Sequence, residues 1–550
     1  MSNLTKCRSL QLTVISPFET MQSMRSGIRF LQHHFEVIPG LAIFFLLIAP
    51  YFFSLPVWDG QNFYDCIRGA AHEPFEWRYF LCYAHPTILF IGLFAIPEYL
   101  FPGSVFMTHL LMFSLGAASI VAFSFLCRRI FPRASRVVRM LSVLLYSVQP
   151  IIVSNVIDFN FDSGVTFLFV IFLTLLVYGK EKWAACIGLL MVFTKESGVL
   201  LYALGLLAYW IFSVRREHRF FKDAFRSGLR RFWFIVPLFA YFVHTQWQDY
   251  LGNSVLHENI PPSTILHSLL SFDLLHERFR LFLIEILVFQ FAWFQTLTIL
   301  CAVALWFWKR DINTSKPFAH SPWLGAVAFL YILGIYLFTR YVPWNNVRYM
   351  MPLLPLGILL FTASCIALGR GRRISQMLLS VAVALSGVAM FRSVDPVSLA
   401  FLKTFPFGSH KLYALGLYDG CCLFGRDQLI YNLEYRKLFS LQDLAFARIR
   451  PTADTVISFP RDAEGSHRAL LHPTTFRRTW DQNSLLPMYV SIDDVLGMSR
   501  LPPEFYFIDL PNLPADEGKK RVEEKYDIAS FEAIERGGYS IGLTKYVLKH

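Results

Sequence analysis

Long apolar runs constrain this chain more than any other feature. Stretches such as Leu41–Leu55, Val105–Leu126, Val165–Tyr178 and Leu353–Leu368 approach the roughly 20 residues that an α-helix needs to cross a bilayer, and such runs recur until residue 390 or so. Of 550 residues, 55% are apolar and 16% charged, against roughly 25% charged in soluble domains. A water-soluble globule of this size could not bury so much apolar surface, so lipid is the main solvent. The expected architecture is an α-helical polytopic membrane protein of about eleven transmembrane helices, followed by a small C-terminal α/β domain.

Charge gives the helices a direction. The net charge is +12, but the basic residues fall in short clusters between apolar runs: Arg128, Arg129, Arg133, Arg136 and Arg139; Lys180 and Lys182; Arg215 through Arg231; Lys309 and Arg310; and Arg370, Arg372 and Arg373. This is the pattern of topogenic charge rather than of a nucleic-acid surface, and no nucleic-acid partner is expected. Placing every cluster in the cytoplasm puts residues 1–38 inside and segments 57–103, 247–280 and 340–348 outside. The transmembrane domain then covers 39–392, with a first outer loop at 57–103, and the soluble domain 393–550 is extracytoplasmic. No cleavable signal peptide is evident, because the first apolar run is long enough to stay as an anchor.

The cysteines and sequons add less. Cys66 and Cys82 share the first outer loop, and whether they pair is left open by the sequence. Cys127, Cys186, Cys301 and Cys365 sit in apolar runs, where a free thiol packs as a small hydrophobe. The sequons at Asn3 and Asn313 fall on the cytoplasmic side, so neither should carry glycan. That arrangement fits a bacterial inner membrane, with the endoplasmic reticulum as the other compartment open to such a chain.

In the first outer loop, Thr87 to Phe101 is apolar but interrupted by Pro97 and Glu98, which makes it a poor spanning helix and a good interfacial one. After Arg392 charge density rises and short alternating runs appear at Thr455–Phe459, Phe505–Leu510 and Tyr539–Leu548, the pattern of strands. Glu517–Tyr526 reads as a charged surface helix.

Ionisable groups beside apolar spans cost a few kcal/mol each, so they are functional candidates. Asp59 follows the first crossing; as a bystander it would be an ordinary helix N-cap. Asp158 and Asp162 are spaced four apart and share a face if the segment is one helix. Lys195 and Glu196 form a polar knot between two apolar runs, and a merely structural role would pair them with each other. Arg348 and Tyr349 open a later span, where the arginine could simply snorkel to the interface. With His85, these gather acids and cations on the outer face. A carboxylate there can deprotonate an acceptor while cations hold a departing phosphate. The histidines lack metal-ligand spacing, no metal motif is seen, and the cofactor requirement is unknown.

The order of these motifs resembles the GT-C glycosyltransferases, in particular the branch of protein O-mannosyltransferases and the aminoarabinose transferase of lipid A. Asp59-Gly60 with Phe63 or Tyr64, Ala84-His85-Pro86-Thr87-Ile88, Asp162, Thr194-Lys195-Glu196 and Arg348-Tyr349-Met350-Met351-Pro352 follow the family's order over roughly residues 40 to 390. Gly60 stands where stricter branches have a second acid, and Thr87 where they have a second proline. The resemblance implies transfer of a sugar from a polyprenyl-phosphate donor to a lipid, glycan or protein acceptor outside the cytoplasm. Asp59, Asp162 and Asp158 would be catalytic, and Lys195, Arg348, His85 and Tyr349 would hold the donor phosphate. The alternative is a transporter or flippase of a lipid-linked sugar, with the same charges lining its path.

Overall fold

The computed structural model describes residues 35–54, 56, 59–73, 77–82, 85, 87–217, 232–250, 283, 286–288, 291–308, 322–341, 347–369, 372–390, 397, 428–452, 454–460, 488–510, 515–536 and 539–549. Helix α1 (Ile38–Ile48) leads to α2 (Asp59–His72) and α3 (Ile88–Leu100), with a four-residue helical turn, Trp77–Phe80, between the last two. Next come α4 (Val105–Ile130), α5 (Arg136–Ser147), α6 (Pro150–Ile157), α7 (Phe161–Val177), α8 (Glu181–Val192) and α9 (Glu196–Glu217). The bundle is completed by α10 (Ile235–Tyr250), α11 (Ala292–Trp308), α12 (Pro322–Tyr341), a tight turn Val347–Leu353 running into α13 (Leu354–Leu368), and α14 (Arg372–Ala389).

Among the described residues, Val105–Ile130 and Arg348–Leu368 are each long and apolar enough to cross a bilayer alone. The pair α5 and α6, bent by 47° where Pro150 starts a new helix, is long and apolar enough only when taken together, as a broken span or a re-entrant loop. Seven further apolar helices are shorter. Phe53, Phe239, Phe307, Trp308 and Ile332 lie exposed on this helical body, as expected where the solvent is lipid.

The two ends of α4 hold different charges. Near its start, His109 Nε2 is 3.0 Å from the Ile157 carbonyl oxygen, just before Asp158. In its last turn, Arg128 Nε donates to Glu36 Oε2 at 2.7 Å, and Arg139 reaches Glu36 Oε1 at 2.8 Å. Nineteen residues separate His109 from Arg128, about 28 Å of helix, close to the roughly 30 Å of a hydrocarbon core. Burial alone would raise the Glu36 carboxyl, but hydrogen bonds and charge from Arg139 and Arg128 outweigh it and hold Glu36 below its ordinary value. On the same end, Arg129 stacks over Tyr178 and Lys182 over Trp233.

The tail is a five-stranded sheet ordered β2-β1-β3-β5-β4, with β1 (Val456–Phe459), β2 (Met488–Ser491), β3 (Glu504–Asp509), β4 (Tyr526–Arg536) and β5 (Tyr539–Leu548). β1 pairs in parallel with β2 and β3, whereas β5 runs antiparallel to β3 and β4. Helix α15 (Gln428–Ile449) covers one face, packing Leu438, Leu441 and Ala445 against Ile457, Ile508 and Ile541. Helix α16 (Asp516–Lys525) covers the other, where Val522 joins Phe505, Phe507 and Tyr546. α15 also packs on α6, and so joins the sheet domain to the helical body. β1, β3, β5 and α16 fall where the alternating and charged runs were expected; β2, β4 and α15 are additional.

Candidate active site

The expected shared face of Asp158 and Asp162 is not formed. Asp158 ends α6, Phe159 turns left-handed at φ 59°, and Asn160 caps α7 by accepting from the Asp162 amide at 3.0 Å. The two acids thus belong to different helices. A buried phenylalanine in that conformation costs on the order of 1–3 kcal/mol. It is held by edge contacts with Phe94 and Phe161, at 4.8 and 6.2 Å between ring centres.

Asp162 is the hub of the site. Lys195 Nζ donates to both of its oxygens at 2.9 Å, and Arg348 Nε lies 3.5 Å from Oδ2. The Lys195 ammonium also stands 4.5 Å from the centre of the Tyr349 ring, with the Arg348 guanidinium 5.3 Å away. Only 2% of Asp162, 5% of Lys195 and 9% of Arg348 are exposed. Arg348 therefore turns into the protein rather than snorkelling outward. Lys195 and Arg348 thus converge on one buried carboxylate, and cations gathered in this way can also meet an anion.

The neighbours Lys195 and Glu196 do not pair with each other, because adjacent side chains point apart. Glu196, the first residue of α9, instead accepts from His85 Nδ1 at 2.9 and 3.0 Å. The turn carrying both charges is tight: a Cβ on Gly198 would sit 2.1 Å from the Met191 carbonyl oxygen. Glycine is needed for that approach.

Asp59 opens α2, and its side chain lies outside the described residues, as do Asn345 and Asn346. Its neighbour fixes where that helix begins. A Cβ on Gly60 would fall 1.4 Å from the Asp158 carbonyl oxygen and 3.2 Å from Asp158 Oδ1. A side chain at position 60 has no room there. The start of α2 is pressed against Asp158, where the helix dipole favours a carboxylate.

The far end of α2 is locked as well. Glu98, fully buried in α3, faces Tyr64, Arg68 and His72 at 3.4, 3.6 and 3.9 Å and accepts from the Gly103 amide at 2.8 Å. Those three residues recur every fourth position, a helical-face signal present in the sequence. Cys66 and Cys82 form a disulfide that ties α2 to the segment before α3. The structure thus brings Asp162, Lys195, Arg348 and Tyr349 together, pairs His85 with Glu196, next in sequence to Lys195, and puts Asp158 next to the start of α2. Sequence reasoning missed the His85–Glu196 pair, the Asn160 cap and the role of Glu98. Among the described residues, no three His, Cys, Asp or Glu side chains gather as metal ligands would.

No protein-family model matches the sequence, and no curated protein matches it. Solved structures do. ArnT from Cupriavidus metallidurans bound to undecaprenyl phosphate aligns with a TM-score of 0.51 at 14% identity, over 94% of this chain and 98% of that one. The apo state of ArnT gives 0.47 at 13% identity over 92% and 97%. The oligosaccharyltransferase of Archaeoglobus fulgidus, in complex with Zn and sulfate, gives 0.43 at 11% identity over 92% and 72%. The likeness to the ArnT complex runs nearly end to end, through the helices and the sheet domain alike, so this chain has the fold of ArnT.

Proposed function

We propose that this protein is a membrane glycosyltransferase that moves a sugar from a polyprenyl-phosphate donor to a lipid, glycan or protein acceptor on the extracytoplasmic face. The observation that carries the reading is the buried cluster in which Lys195 and Arg348 converge on Asp162 beside Tyr349. Cations placed together in this way would stabilise the charge that builds on a departing carrier phosphate. The match to ArnT bound to undecaprenyl phosphate supports the same class of donor. The reading takes about eleven crossings, with the Glu36 end in the cytoplasm, the cluster and the sheet domain outside, and α3 lying at the interface. The setting is a bacterial inner membrane.

In this mechanism Asp59 takes the proton from the acceptor hydroxyl or amine as that atom attacks the anomeric carbon. The bond from that carbon to the phosphate oxygen breaks, and the electron pair leaves with the carrier phosphate. Lys195, Arg348 and His85 stabilise its charge, with Tyr349 packing beside the two cations. Asp158 and Asp162 shape the site, and attack from the side opposite the phosphate inverts the anomeric carbon.

The test is to incubate the purified protein with radiolabelled polyprenyl-phosphate sugars and membrane extract, and to follow label into acceptor. Transfer in detergent, lost in Asp59→Asn, is the expected result. Label that never moves in detergent would favour a flippase, and wild-type rates in Asp59→Asn would remove that residue as the base.

A further inference from the structure

We infer that Glu196 is a positioning residue for the carrier-phosphate site: by engaging His85 Nδ1 it aims the opposite ring nitrogen, Nε2, at the phosphate. The inference rests on the donor reading above and adds to it a residue whose own charge has the wrong sign for binding phosphate.

Three observations carry it. Both Glu196 oxygens lie within 3.0 Å of Nδ1, so the carboxylate grips one nitrogen of the ring from two sides. Glu196 is joined through the backbone to Lys195, whose ammonium is committed to Asp162. The dipeptide therefore anchors two separate pairs, Lys195 with Asp162 and Glu196 with His85, from adjacent positions of one turn. Finally, Nε2 makes no hydrogen bond among the described residues, and the His85 side chain is 28% exposed. The chain leading to His85 belongs to the loop between α2 and α3, whereas Glu196 begins α9. Without the pair, the ring would be a loop side chain free to rotate, losing the orientation that a directional hydrogen bond requires.

The chemistry follows from the tautomer. An Nδ1–H that donates to a carboxylate commits that nitrogen, leaving Nε2 as the atom that meets a ligand. With a proton on each nitrogen, Nδ1–H donates to Glu196 while Nε2–H donates to a phosphate oxygen. Donation from both nitrogens requires the doubly protonated ring, and the contact to phosphate is then a hydrogen bond with no proton transfer.

The sign of one measurement separates positioning from plain charge. A carboxylate that acted only by its charge would repel phosphate, so removing it would tighten binding. Positioning predicts the reverse. The probe is undecaprenyl phosphate, titrated in detergent against full-length wild type, Glu196→Ala, Glu196→Gln, His85→Ala, the double variant His85→Ala/Glu196→Ala, and Lys195→Ala, with a thermal unfolding midpoint for each. Glu196→Ala should bind roughly tenfold to a hundredfold more weakly, the range for a lost hydrogen bond to a charged group. Glu196→Gln should recover part of that, because its amide oxygen can still accept from Nδ1. In the His85→Ala background, loss of Glu196 should no longer weaken binding.

Tighter binding in Glu196→Ala, or an equal loss with and without His85, would overturn the positioning role. So would a Glu196→Ala affinity equal to wild type while Lys195→Ala binds poorly, and in that case the donor reading survives. Failure of the wild-type protein itself to bind undecaprenyl phosphate would overturn both.

Discussion

Asp162 satisfies two cations at once, and its neutralisation is the sharpest test of the cluster. In Asp162→Asn, Lys195 loses the carboxylate to which it makes both of its 2.9 Å contacts, and breaking a buried pair in this way costs about 3–5 kcal/mol. A marked fall in the thermal unfolding midpoint in detergent is expected, larger than that of Lys195→Met, which leaves the acid with Arg348 close by. Position 60 makes a steric prediction of similar size. Gly60→Ala would drive a methyl group into the Asp158 carbonyl, so the start of α2 must shift. Sugar transfer should fall at least tenfold, because an ångström of misplacement near a reacting group costs about a hundredfold in rate. An unchanged rate would show that the first turn of α2 is not held where it matters. Asp162, Lys195 and Arg348 were legible in the sequence because a charge beside an apolar span is too costly to be incidental. Which charge meets which was not legible: Lys195 lies 33 residues from Asp162 and His85 lies 111 from Glu196, and tertiary packing alone closes such distances.

At the scale of elements, α2 is the part most firmly fixed. The Cys66–Cys82 bridge closes a loop with a separation of 16 residues, for which chain entropy gives about 3 kcal/mol. Cys82→Ser should lose about that much in stability, and a reductant should do the same to the wild type but nothing to the variant. α1 is pinned differently, through Glu36. Because its carboxyl is held below its ordinary value of 4.5, the stabilisation it supplies is complete above that pH and drains away as pH falls through the lowered value. Unfolding midpoints of the wild type and Glu36→Gln should differ at neutral pH and converge in strong acid. The tail shows why some elements were read correctly and others not. β1 is buried at every position and β3 at Phe505, Phe507 and Ile508, in a sheet covered on both faces, so their short apolar runs stand out in the sequence. Four-residue β2 is too short to show a period. In β4, Ile528 and Phe531 are exposed, so its apolar residues do not report burial.

For the whole molecule, the packing of α15 on α6 ties the sheet domain to the helix that ends in Asp158. A chain co-expressed as fragments 1–397 and 398–550 should therefore co-purify in detergent; two fragments that elute apart would mean that contact is too weak to couple the domains. The Glu36 clamp has a consequence in time. Its two arginines lie 92 and 103 residues further along the chain. At a synthesis rate of roughly 5–20 residues per second, they leave the ribosome about 5–20 s after Glu36 does. For that interval α1 is a short apolar segment preceded by an acid whose two arginine partners have yet to be made. Its insertion is provisional until α4 and α5 have been made, so assembly of the bundle is ordered by the chain itself, with the later helices setting the first.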